Sequence, residues 1–161
     1  MLRYALTLTA MLGALPAIAQ EALRPQEQLR LDRFETVAGN ALLQAFQSGS
    51  AEDRAALGLA LSGTPQVAFD EGLAGDWSCR TIKLGGMPAL VVYSPFKCRL
   101  TFQGNGYLFE KISGSQRTTG FITLRDGQAI YAGVGYVAGE TPPAYDALPP
   151  DFAGDGTLQP D

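Results

Sequence analysis

The chain has 161 residues, with 12 basic and 16 acidic side chains, a net charge of −4, two cysteines and no histidine. The missing histidine rules out Ser-His-Asp and Cys-His nucleophilic pairs and any histidine-ligated metal, and two cysteines alone leave too few of the usual ligands for zinc. No metal or cofactor is therefore expected, and the acidic balance disfavours nucleic acid as a partner.

The chain opens with MLRYALTLTAMLGALPAIAQ, in which Arg3 precedes an apolar run from Tyr4 to Leu15, followed by Pro16 and the small-x-small triplet Ala17-Ile18-Ala19. This pattern predicts a secretory signal over residues 1–19, cleaved after Ala19. The run is shorter than the roughly 20 residues that a spanning helix needs. Residues 20–161 are then expected to be soluble and periplasmic or secreted, without stable membrane insertion, and to form a single domain over residues 20–138. In such an oxidising compartment Cys79 and Cys98 are expected to pair, a bridge worth about 3 kcal/mol by loop closure. The C-x-x-C spacing of a redox pair is absent.

From Pro25 to Phe46, Leu29, Phe34, Val37, Ala41, Leu42 and Ala45 recur at three- and four-residue steps, which predicts an amphipathic helix with these residues on its buried stripe. Ser48-Gly49 ends it, and Ser50-Ala-Glu-Asp53 reads as a new N-cap with acid in the first turn. A shorter helix is expected to follow to about Leu61, burying Leu57 and Leu61, so that a helical hairpin covers roughly residues 25–62.

The period then changes to two. Phe96 to Gln103 alternates apolar and polar residues, Gly104-Asn105-Gly106 marks a hairpin turn, and Tyr107 to Ile112 returns. Strands are also expected at Gly75–Lys83, Ala89–Tyr93, Gly120–Arg125 and Ala129–Val137, with Asp126-Gly127 as a turn. The resulting fold class is α+β, with an N-terminal helical hairpin packed on an antiparallel, barrel-like sheet over residues 74–138. Closure would remove exposed edges. Residues 139–161, rich in Pro, Gly and Asp, are expected to be an irregular tail.

In Gly75-Asp-Trp-Ser-Cys-Arg-Thr-Ile-Lys83, Trp77, Cys79 and Thr81 share one strand face. If Cys79 meets Cys98 inside, Trp77 is a core anchor beside the bridge, its indole N–H seeking a buried acceptor. A Gly-x-Trp opening a first strand resembles the lipocalin and calycin pattern, which implies a calycin-like barrel. The strings LDRFETVAGNALLQAF, LAGDWSCRTIKLGG, LVVYSPFKCRL, FEKISGSQRTTGFI and YVAGETPPAY resemble the family called domain of unknown function 4893, found in bacterial exported proteins. That resemblance implies no activity, cofactor or catalytic residue. Family members continue into further strand-like sequence where this chain ends in TLQPD, so by that resemblance either the protein is shortened or its last strands are missing.

Charge is segregated, with a surplus of basic residues between 75 and 125 and of acidic residues on both sides. This suits either a self-complementary fold or an anion site. Ser113, Ser115, Gln116, Arg117, Thr118 and Thr119, in the polar run 110–120, could line the mouth of a site or satisfy their own loop backbone. Arg80 and Lys83 with Gly85-Gly86 could form a backbone nest for an anion or a tight turn. Arg80, Lys83, Ser115, Gln116 and Arg117 are thus the candidate ligand-binding residues, for a small anionic or sugar-like ligand. Glu110 with Glu140 could make a carboxylate-dependent hydrolase, and Lys83 or Lys111 with a serine a Ser-Lys hydrolase. Surface roles are the default for all four, and no catalytic residue is assigned. Tyr93, Tyr107, Tyr131 and Tyr136 could stack on a ligand or pack within the sheet. The expected function is a non-catalytic binding or structural domain. Its alternative is a protein inhibitor of exported hydrolases, by analogy of fold alone.

Overall fold

The computed structural model describes residues 23–64 and 71–161, so the expected signal and its cleavage site lie outside the described residues. Among the described residues, three helices come first: α1 (Pro25–Asp32), α2 (Phe34–Ser48) and α3 (Ala51–Ala60). The single helix expected over 25–46 is broken at Arg33, whose ψ of 1° leaves the helical region. The second N-cap forms as the sequence predicts, with the Ser50 hydroxyl accepting the Asp53 N–H at 3.0 Å.

Eight strands follow: β1 (Gly75–Cys79), β2 (Ile82–Leu84), β3 (Leu90–Val92), β4 (Phe96–Phe102), β5 (Gly106–Lys111), β6 (Gln116–Arg125), β7 (Gln128–Val137) and β8 (Leu158–Pro160). Six of them form one antiparallel sheet in the order β1-β4-β5-β6-β7-β8, and β2-β3 form a separate hairpin. The expected barrel is corrected to an open sheet, since β1 and β8 are its two edges. Edge management here relies on brevity: β8 has three residues and ends in Pro160, which has no N–H to offer a neighbour. The turn at Asp126-Gly127 has φ of 48° and 80° and joins the paired residues Arg125 and Gln128, the geometry of a two-residue primed turn. At the β4-β5 turn the positive φ falls on Gly104, at 71°, rather than on Asn105.

Cys79 and Cys98 are joined, with Cα atoms 5.9 Å apart, across the antiparallel β1-β4 pair. Trp77 lies directly opposite Cys98, as a shared face requires, yet it is no core anchor. Its side chain is 47% exposed and its indole N–H donates to the Leu73 carbonyl at 2.8 Å. The reason is strand order: β1 is an edge strand, so a side chain on it has a neighbouring strand on one side only.

The core is divided. Ala45 and Leu57 of the helical hairpin bury Leu90 of β3, with Leu42, Ile82, Leu84 and Val92 packed around them, so the hairpin sits on the small β2-β3 sheet. Leu61, expected in that core, is exposed, as are Leu29, Phe34 and Val37. The second cluster joins Ala132 and Val134 of β7 to Tyr145 and Leu148, with Leu23, Phe152 and Leu158 alongside. The tail expected to be irregular therefore covers β7 and supplies β8.

Arg24, 8% exposed, fastens this tail to the start of α1. Its guanidinium donates from Nε to Glu27 Oε2 at 2.8 Å and from Nη2 to Glu27 Oε1 at 3.1 Å. It also reaches the carbonyls of Pro149 and Phe152, each at 2.8 Å. The Tyr145 hydroxyl accepts the Arg24 backbone N–H at 3.2 Å and donates to Glu27 at 3.4 Å. The hydrogen bond from Arg24 holds the Glu27 carboxyl below the usual carboxylate range, against the opposing effect of burial.

Two outcomes follow from this packing. Leu148→Ala is expected to destabilise the protein by roughly 2–5 kcal/mol in chemical unfolding, the cost of a core cavity. Because the folded-state value of Glu27 is depressed, its contribution to stability is complete above about pH 4.3 and is lost as pH falls below that. Glu27→Gln leaves a buried guanidinium without its counter-charge and should cost about 3 kcal/mol or more at neutral pH. Its melting temperature should also decline less steeply with acid than that of the wild type.

Candidate functional site

A recess of about 300 Å³ opens where β5, β6 and β7 meet the β2-β3 hairpin and the end of the tail. Three cations line it from different elements: Lys83 of β2, Lys111 at the end of β5 and Arg117 near the start of β6. The register explains the convergence. Lys111 pairs with Thr118, and Thr118 pairs with Gly135, so the two polar side chains stand on one face beside a residue with no side chain. A Cβ at Gly135 would come within 2.7 Å of the Asp161 carboxylate and 2.9 Å of Gln159 Cγ, so the bare glycine lets side chains from β8 and the residue after it close the recess.

Lys111 is the best-defined of the three cations. Its Nζ stands 3.7 Å from the Phe96 ring centroid and donates to the Gln116 carbonyl. Burial lowers its amine below the usual lysine value, and the charges of Lys83 and Arg117 push in the same direction. Lys83 stands 5.6 Å over the Tyr93 ring, and Arg117 Nε makes a long 3.4 Å bond to the Gly114 carbonyl. The recess thus gathers three cations, and among the described residues no carboxylate makes an ion pair with any of them.

Beside these cations runs a short hydrogen-bonded chain. The Thr118 hydroxyl has one proton to give, and its Oγ1 stands 2.9 Å from Asp161 Oδ2 and 3.2 Å from the Val134 carbonyl, so the Tyr131 hydroxyl donates to Thr118 in turn. Burial raises the Tyr131 phenol far above its usual value, with Thr118 partly offsetting it, and keeps it protonated.

Of the five residues expected to bind a ligand, Lys83, Gln116 and Arg117 line this recess, while Arg80 and Ser115 do not. Arg80 follows β1 as an exposed residue, and Ser115 occupies the turn before β6, where its carbonyl accepts the Ala138 N–H. The polar run is only partly a loop, because β6 begins at Gln116 rather than Gly120. Gly85, with φ of 75°, serves the β2-β3 turn, and its N–H is taken by the Ala89 carbonyl, which is the tight-turn alternative rather than the nest. Ser113 Oγ accepts the Lys97 N–H at 2.8 Å and the Lys111 amine is held by a carbonyl, so neither is poised as half of a Ser-Lys pair. Glu110 lies opposite Arg99 and Thr119, Glu140 lies beyond β7, and neither lines the recess. Tyr136 contributes to the wall; Tyr107 is buried against Phe102. Lys111 and Asp161 were not singled out as ligand residues. Only the alternation that puts Lys111 on the face of Cys98 hinted at the first, and no local signal marked the second.

Replacing Lys83 by Met removes one of the charges acting on Lys111. The Lys111 amine should then titrate at higher pH than in the wild type, yet still below an exposed lysine, as read by nitrogen-detected NMR.

Among the described residues, no helix is long and apolar enough to cross a membrane and no three acidic or cysteine side chains gather as a metal site. The disulfide and the lack of such a helix are compatible with an exported protein. No curated protein and no solved structure matches the chain. A family model, Domain of unknown function (DUF4893), matches residues 19–154. With nearly its whole length covered by that model, the chain belongs to the DUF4893 family.

Proposed function

We propose that this protein is an exported, non-catalytic binding domain whose recess takes a small anion, a phosphate or a carboxylate such as that of an acidic sugar. The observation that carries this reading is the convergence of Lys83, Lys111 and Arg117 on one recess, with no ion-paired carboxylate for any of them among the described residues. The depression of the Lys111 amine by burial and by its cationic neighbours supports the same reading, because an anion placed there would relieve both costs. The Gln116 amide adds a neutral donor at the wall, and the Thr118 and Thr157 hydroxyls, whose protons go to Asp161 and Asp155, add acceptors. Such hydroxyls and amides suit a ligand that carries hydroxyl groups as well as charge.

A binding role fits the chemistry better than catalysis. The hydroxyl and amine groups near the recess are engaged with backbone or with one another, and the carboxylate facing it, Asp161, is occupied by Thr118 and Gln159.

The test is isothermal titration of the purified protein with inorganic phosphate and with glucuronate, beside uncharged glucose. Binding of at least one anion is expected, weakening as salt rises. Lys111→Gln or Arg117→Gln should weaken it by about tenfold or more, the loss of one charge-assisted contact. Affinity for neither anion, or affinity unchanged by both substitutions, would overturn the reading.

A further inference from the structure

A second cleft, of about 570 Å³, lies between α1, the start of α2 and β7, and nothing in the anion-binding reading uses it. Leu29, Phe34 and Val37 on the helices and Ile130 on β7 form its apolar walls. The three helical residues are 56%, 65% and 60% exposed, although their spacing marks them for burial. Large apolar side chains left open around one cleft, rather than scattered singly, mark a binding surface. The volume lies within the ordinary range for a small-molecule site, as does a mostly apolar lining with a few polar groups at its edge.

Those polar groups decide the class of occupant. Arg30 and Arg33, one helical turn apart, both border the cleft. Arg33 has no ion-pair partner among the described residues, and Arg30 makes only a long 3.4 Å bond to the Pro160 carbonyl. Glu27 and Asp161 also border it, but Glu27 is engaged by Arg24 and Asp161 by Thr118 and Gln159. The cleft therefore offers apolar walls and two available guanidinium groups. These residues line a concavity and not a projecting tip, which suits an entering ligand better than a segment inserted into another protein.

We propose that this cleft binds an amphipathic anion, with an alkyl chain lying against Leu29, Phe34, Val37 and Ile130 and a carboxylate held by Arg30 and Arg33. An alkyl chain gains by transfer from water, and each buried methylene should improve binding by about fourfold. The planar guanidinium groups suit a carboxylate through paired hydrogen bonds.

The experiment titrates the purified protein, below micelle formation, with hexanoate, octanoate and decanoate, and with decanol as the uncharged control, while light scattering follows its oligomeric state. Affinity is expected to rise along the acid series by up to about fourfold per methylene, and decanoate should bind better than decanol. Val37→Asp, a change at an exposed position that leaves the core intact, should abolish decanoate binding. Arg33→Gln should reduce the preference for acid over alcohol by several-fold without removing the chain-length dependence. A flat response along the series, decanoate binding unchanged in Val37→Asp, or equal binding of acid and alcohol in the wild type would overturn the proposal. A wild-type dimer that Val37→Asp converts to monomer would overturn it too, by assigning the cleft to a second copy of the chain.

Discussion

The guanidinium of Arg24 holds the two ends of the described chain together. It is paired with Glu27 through two contacts and reaches two carbonyls of the tail more than 120 residues away. Placing a charge there costs desolvation, and the arrangement is tolerable because the carboxylate, the carbonyls and the Tyr145 hydroxyl together satisfy it. Two consequences follow. α1 is fixed beside β7, which creates the apolar cleft, and the tail is fixed over the other part of β7, which brings Gln159 and Asp161 to the cationic recess. Both candidate sites are built around the same strand and the same clamp.

The fold also shows how a chain of this length manages without one central core. Leu42, Ala45 and Leu57 of the helical hairpin pack on β2-β3, and Tyr145, Leu148 and Phe152 of the tail pack on β7. The disulfide ties β1, the outermost strand, to β4, where no further strand lies beyond it to hold it. Covalent pinning at an edge limits fraying at the place where hydrogen bonding is weakest.

Local signals in the sequence translated well. The Ser50 cap, the Asp126-Gly127 turn, the alternation of Phe96 to Phe102 and the pairing of the two cysteines each depend on neighbouring residues or on a binary choice of face. What could not be read depends on which strand lies next to which. The exposure of Trp77 follows from β1 being outermost, and the meeting of Lys83 with Lys111 and Arg117 follows from the small hairpin folding toward β5 and β6. The tail was obscured for a different reason: its prolines, glycines and aspartates dominate its composition, while a few apolar residues do the packing. The helix break at Arg33 has no proline or glycine to announce it.

Gly120 and Gly133 face each other across β6 and β7. A Cβ on Gly120 would collide with the backbone of Ala132 and Gly133, and one on Gly133 would strike the ring of Tyr131. This bare pair is a seam along which the two long strands draw close and the aromatic ring can lie flat over the ladder. The shape of the apolar cleft, which that ring lines, is thus governed by two absent methyl groups. Adding either one would pry the strands apart like a wedge in a hinge, altering ligand capacity at a distance from every charged residue.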